Sequence, residues 1–303
     1  MKPQPKRRAL GGFTLAEMII AIILLGVLGT IVAVFIRAPV KNYADAVGRA
    51  ELTDQADLAL RRMARELRLA LPNSIRVNAD GSAVEFLITR SGGRYLAAED
   101  GIPDAPALDF LDPGKREFTV LGALGSFSGT SVGDYVVVYN LGSGMAPADA
   151  WQGLQGDTNI AKIKAISQRA VPEIDPDTSH TFPVLTLERN PFAQQSTPMP
   201  SPTQRFQVVT GPVSYYCAQQ PDGTLTLWRS SGYDISPTQN VPPAGAVPAP
   251  LATRLASCGH LFDYGSAATQ RSSLVILSLE LKARNEHEPS IRLVHQVHVD
   301  NTP

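Results

Sequence analysis

Hydrophobic and polar positions change period twice along this chain. Residues 18–36 carry no charge and little polarity. At about 1.5 Å of rise per residue, a helix over 13–36 is roughly 36 Å long, enough to cross a hydrocarbon core of about 30 Å. Beyond Arg37, Leu52, Ala56, Ala59, Leu60, Met63, Leu67, Ala70 and Leu71 recur at steps of three and four. That spacing predicts one buried stripe on an amphipathic helix. Glu51, Asp54, Asp57, Arg61, Arg62 and Arg65 fall on its other faces, and Asp57–Arg61 and Arg62–Glu66 are four-residue ion pairs. Pro39 is expected to kink this helix or mark its exit from the bilayer, and Pro72 to end it.

From Ser74 the period becomes two. Val84, Phe86 and Ile88 alternate with Glu85, Leu87 and Thr89, and strand-like runs follow at 117–121, 135–139, 184–188, 206–210, 213–217, 224–229, 274–284 and 291–299. Pro221-Asp222-Gly223 is a turn between two of these runs, and 285–290 is expected to close the last hairpin. No long helical pattern interleaves the strands, which predicts an α+β chain with antiparallel sheet. The proline-rich tracts 190–204 and 236–250 read as exposed loops, and no internal repeat is visible.

Charge and composition narrow the class. The 303 residues carry a formal net charge of −1, so no broad basic field exists for nucleic acid. The basic residues concentrate instead in the leader, at Lys2, Lys6, Arg7 and Arg8, and hold the N-terminus in the cytoplasm by the positive-inside rule. A secretory signal peptide is the rival reading. Its apolar region would be shorter, and the small-residue pair Gly11-Gly12 precedes the apolar run rather than following it.

Chemical motifs are sparse. Gly129-Thr130-Ser131-Val132-Gly133 matches GxSxG, but the nucleophile elbow needs a strand before it and a helix after, and here a strand-like run follows. His295 and His298 are three apart in a strand and point to opposite faces. Asp175, Asp177 and Asp222 sit in turn-like sequence without EF-hand spacing. No catalytic residue, cofactor or metal site is assigned, and the chain is not expected to be an enzyme. Glu17 is the exception among polar residues, because a carboxylate inside an apolar span is costly enough to suggest a role. Its plainer reading is a favourable place at the positive end of the helix.

The order basic leader, Gly12-Phe13-Thr14-Leu15-Ala16-Glu17, apolar run resembles the processing signal of type IV prepilins and type II secretion pseudopilins. Gly12, Phe13 and Glu17 match that family's residues before the cut, after the cut and at the fifth mature position. Gly26 matches a glycine often found further along, and Ala16 departs from the commoner branched residue. Residues 49–77, 134–142, 211–217 and 223–229 are similar to minor pilins of the mannose-sensitive haemagglutinin (MSHA) pilus. The C-terminal third is also similar to J-type minor pseudopilins of type II secretion.

The resemblance implies a pilin-like architecture: leader 1–12, transmembrane helix 13–36, amphipathic continuation 37–71 and periplasmic globular domain 72–303. It implies cleavage between Gly12 and Phe13 by prepilin peptidase, methylation of the Phe13 amine, and a single-pass inner-membrane subunit that leaves for a surface filament. Glu17 would then pair with the N-terminal ammonium of a neighbouring pilin. Major and minor pilins, the peptidase and the inner membrane are the expected partners. On the periplasmic side a cysteine pair sits where disulfides persist, so Cys217 and Cys258, the two cysteines of the chain, either form a bridge or remain two reduced buried thiols. A pilus-carried receptor- or glycan-binding subunit, signalled by exposed aromatics among Trp151, Tyr233 and Phe192, is the alternative of another class. A tethered periplasmic hydrolase would need a convergent Ser–His–acid site.

Overall fold

The computed structural model describes residues 12, 14–121, 127–264, 273–283 and 290–303. The chain divides into two compact units, Met1–Glu51 and Leu52–Pro303. Helix α1 (Leu15–Leu67) supplies all the described secondary structure of the first unit and continues into the second. It runs through Pro39 without ending. In the first unit the large apolar side chains up to Ile36 are open to solvent, from 49% at Ile31 to 80% at Leu15.

In the second unit the amphipathic stripe is as the spacing requires: Leu52, Ala56, Ala59, Leu60, Met63, Leu67, Ala70 and Leu71 are all buried. The helix stops at Leu67, earlier than Pro72. Leu69 and Ala70 N–H turn tightly onto Glu66 and Leu67 carbonyls, and Leu71 N–H then donates to Leu87 O at 2.7 Å. Strand pairing thus takes the backbone before the proline is reached, helped by the bias of the residue before proline against helix.

The strands are β1 (Arg76–Val77), β2 (Ala83–Tyr95), β3 (Glu117–Leu121), β4 (Tyr135–Val137), β5 (Ile160–Arg169), β6 (Phe182–Leu187), β7 (Arg205–Gln219), β8 (Leu225–Ser231), β9 (Val247–Thr253), β10 (Phe262–Asp263), β11 (Leu274–Leu281) and β12 (Ile291–His298). Every pairing between them is antiparallel. The large sheet runs β1-β2-β3-β6-β5-β4-β7-β8-β9, and β2 also pairs with β7. That extra pairing closes β2, β3, β6, β5, β4 and β7 into a ring. Its interior is filled by Phe118, Val120, Val136, Ile163, Leu185 and Phe206, among others, with Phe118 and Phe206 edge to face at 5.3 Å.

β7 belongs to the ring at its start and to an outer sheet at its end, where it lies between β2 and β8. The expected runs 206–210 and 213–217 are one strand that passes through Gly211-Pro212, with Gly211 at φ +134°, a conformation that only glycine adopts readily. The register of β2 against β7 slips near Thr89, a bulge that bends the pair out of the ring. The outer sheet, α1 from Leu52 onward and the small sheet β10-β11-β12 share one core.

Both proline-rich tracts differ from the expected exposed loops. Asn190 and Phe192 are fully buried, and the Asn190 amide donates to the Asp109 and Lys115 carbonyls at 2.7 and 2.9 Å. The first tract therefore begins by plugging the ring. The second ends as edge strand β9, which tolerates Pro248 and Pro250 because an edge strand need not donate outward. β5 was also missed in the sequence.

Candidate functional site

Three assemblies carry the residues that the sequence singles out. The first is the start of α1. Thr14 precedes the helix, and its N–H and hydroxyl donate to Glu17 Oε2 at 2.9 and 3.0 Å, while Glu17 N–H donates to Thr14 Oγ1 at 3.3 Å. This reciprocal pair is a capping box. The signal was present as Thr-x-x-Glu, but reading Glu17 only against the helix dipole and a neighbouring amine passed over Thr14. The carboxylate thus holds donors that the first turn would otherwise leave open. Further along, Thr30 hydroxyl donates to Val27 O at 2.7 Å, so this polar group is satisfied within the helix.

Gly12 is exposed, and a Cβ built on it would meet no atom of the described residues within 4 Å, so none of them crowds a side chain at this position. Phe13, residues 1–11 and the expected turn at 285–289 lie outside the described residues. By length and composition α1 is apolar enough to cross a membrane.

The second assembly locks α1 to the sheet. Arg229 Nε on β8 meets Glu66 Oε2 on α1 at 2.9 Å, and the Tyr215 hydroxyl on β7 donates to the same carboxylate at 2.7 Å. Arg62 remains 3.6 Å from Glu66, so the expected helical pair exists but is secondary. The Asp57–Arg61 pair is present at 2.7 Å on the open face. Cys217 and Cys258 are joined in a disulfide, with Cα atoms 5.3 Å apart, which ties β7 to the segment before β10.

The third assembly holds the loop after β8. Arg76 pairs with Glu85, stacks 3.6 Å over the Trp151 ring, and donates to the Ser236 and Pro237 carbonyls. Tyr233 hydroxyl donates to Glu85 at 2.8 Å. Burial first, and the Glu85 charge second, raise the Tyr233 phenol well above its ordinary value. Trp151 and Phe192 are buried and Tyr233 is half-buried, so these three aromatics form structural anchors.

The remaining motifs resolve into local structure. Gly129 ends a short 3-10 turn, Ser131 N–H donates to Asp134, and β4 follows at once. His295 faces the core side of β12 and His298 the outside. Asp175 accepts from His180 at 2.9 Å, and this hydrogen bond lowers the Asp175 pKa. Asp222 accepts from Thr224 in the β7–β8 turn, where Gly223 has φ +83°. Among the described residues no cluster of three His, Cys, Asp or Glu is placed to hold a metal. Comparisons with family models, curated proteins and solved structures return no match.

Proposed function

We propose that this chain is a minor pilin of an MSHA-type type IV pilus, most like the biogenesis protein MshO. One observation carries the reading: a capping box at Thr14–Glu17, directly after an unobstructed Gly12, opens a helix whose next two dozen residues present apolar side chains outward. An exposed apolar surface of this size needs a membrane or other apolar helices to cover it. From Leu52 onward the helix packs on antiparallel sheet, as the globular part of a pilin would.

Prepilin peptidase cuts between Gly12 and Phe13 in this reading, and the freed Phe13 amine is methylated. The new ammonium then needs an anion inside a bundle of apolar rods. Glu17 of a neighbouring subunit supplies it, in surroundings where a charge pair is worth far more than at a wet surface. The closed ring enlarges the head, and bulk of this kind fits the end of a filament, where neighbours are missing on one side. The chain is therefore an initiating or tip-associated subunit, present in few copies and bound to other minor pilins through the amphipathic half of α1.

A J-type pseudopilin of type II secretion is the second reading, supported by the similarity of the C-terminal third. Immunoblots of sheared surface filaments and of the inner-membrane fraction test both. Recovery in pilus filaments, lost when the pilus genes are deleted, is the expected result. Recovery that depends on the secretion genes alone would transfer the chain to the second system.

A further inference from the structure

A sheet edge is a row of unpaired backbone donors and acceptors, and proteins usually close or blunt it. Here the ring has no edge. The outer side of β2 is covered by β1 and by residues 69–71, through Leu71 N–H to Leu87 O and Thr89 N–H to Leu69 O, both at 2.7 Å. β9 is an edge, but Pro248 and Pro250 lie opposite Ser230 and Trp228 of β8. Being two residues apart they share one orientation, and having no N–H to give β8, both nitrogens face outward. That edge offers carbonyls without donors. The far side of β11 is occupied as well, by Ser278 N–H to Leu261 O and Lys282 N–H to Arg254 O at 2.8 Å.

β12 is managed in none of these ways. Val299 N–H donates to Ser273 O at 2.9 Å, which fixes the phase of the β11–β12 ladder. By register, Val297, His295, Leu293 and Ile291 then bond to Val275, Leu277, Leu279 and Leu281. Arg292, Val294, Gln296 and His298 must point their N–H and C=O groups away from β11, and none of these groups meets a backbone partner among the described residues. Their side chains are exposed, Val294 at 57%. Over about 20 Å of strand, donors and acceptors therefore alternate unanswered, with no proline to break the row. β12 also carries Arg292, His295 and His298 and no carboxylate.

We propose that β12 takes up an extended segment of another protein as a further antiparallel strand, and that this segment alternates apolar and acidic residues. Main-chain bonds to Arg292, Val294, Gln296 and His298 supply the affinity in such strand addition, and alternate side chains supply the choice of partner. Acidic residues of the added strand lie on the exposed face, beside Arg292, Val294, Gln296 and His298, and its apolar residues on the other face, beside Leu293, His295 and Val297; opposite charges across a pair stabilise and like charges do the reverse. A second copy of β12 would bring another arginine and two more histidines with no acid to meet them, which disfavours self-pairing. The edge is a feature of the fold and holds whether or not the chain enters a filament.

Fluorescence anisotropy of a labelled eight-residue peptide of alternating valine and glutamate, titrated with the full chain in detergent, tests this directly. Saturable binding is expected. Gln296→Pro removes an outward donor while leaving every bond to β11 in place, and should weaken binding by about tenfold, as the loss of one or two hydrogen bonds requires. Gln296→Ala changes the side chain alone and should bind as the parent does. A valine–glutamate peptide N-methylated at its glutamates, whose N–H groups would face β12, makes the same test from the ligand side and should not bind. Arg292→Glu should weaken the acidic peptide and favour a valine–lysine one. Absence of saturable binding, undiminished binding of the N-methylated peptide, or equal affinity for the lysine peptide would overturn the proposal. So would a dimer of the chain that Gln296→Pro abolishes without any peptide binding, since the edge would then belong to a second copy.

Discussion

Glu66 on α1 and Arg229 on β8 meet at 2.9 Å with both side chains more than four-fifths out of water. Tyr215 adds its hydroxyl to the same carboxylate at 2.7 Å. Removing one member of a buried pair strands the other, at a cost of about 3–5 kcal/mol, whereas replacing both by apolar residues is close to neutral. Arg229→Leu is therefore expected to destabilise the chain by about 3 kcal/mol, and Glu66→Leu/Arg229→Leu to recover most of that loss. Urea unfolding of the parent, Arg229→Leu, Glu66→Leu and the double variant measures it, and simple additivity of the two single changes would remove the pair from the account.

The disulfide spans a sequence separation of 41 residues. On the chain-entropy estimate, closing such a loop stabilises by about 4 kcal/mol, and typical measured values are about 2–4. Cys217→Ser/Cys258→Ser should unfold at clearly lower urea than the oxidised parent, while the reduced parent should match the double variant. Equal midpoints for all three would show that the bridge adds nothing.

These two locks were unequally legible. The two cysteines could pair only with each other, so the partner was legible, while the choice between a bridge and two reduced thiols turned on the expected periplasmic location. Glu66 offered a nearby Arg62 four residues away, and local spacing hid the partner 163 residues on. The same limit explains the ring. Alternation marks Phe118, Val120, Leu185 and Phe206 as inward-facing, but says nothing of which strand pairs with which, so closure of β2 on β7 could not be read. β9 was hidden because its prolines speak against a strand everywhere except at an edge. The stripe from Leu52 to Leu67 was legible because helical period depends on neighbours in sequence, but its expected end at 71 was not, because strand pairing takes Ala70 and Leu71.

Thr14 and Glu17 separate two roles for one carboxylate. Glutamine can replace glutamate in a capping box, so Glu17→Gln keeps the cap and loses the charge. Expected outcomes are normal insertion and cleavage with reduced recovery in filaments. Thr14→Val, which keeps the charge and loses the hydroxyl, should be recovered nearly as the parent. If Glu17→Gln entered filaments normally, capping would be the whole of its role.

Burial raises the phenol of Tyr95 to about 12, and raises those of Tyr215 and Tyr233 further, with carboxylates Glu66 and Glu85 the second cause at the latter two. A raised folded value means that stability is complete below the ordinary phenol value of about 10 and declines as pH rises beyond it. Absorbance at 295 nm should show a late group of tyrosines ionising together with loss of near-ultraviolet dichroism. Ionisation of all eight tyrosines in one step near pH 10, with dichroism intact, would contradict the buried network.

The proposed processing falls between Gly12 and Phe13. Mass spectrometry of the N-terminal peptide from protein recovered in sheared filaments measures it most directly. The expected peptide begins at Phe13 with a methylated amine, and Gly12→Val, whose Cβ meets no atom of the described residues within 4 Å, should leave the full-length precursor in the membrane. Filament protein that retains residues 1–12, or a Gly12→Val protein that still begins at Phe13, would contradict the account.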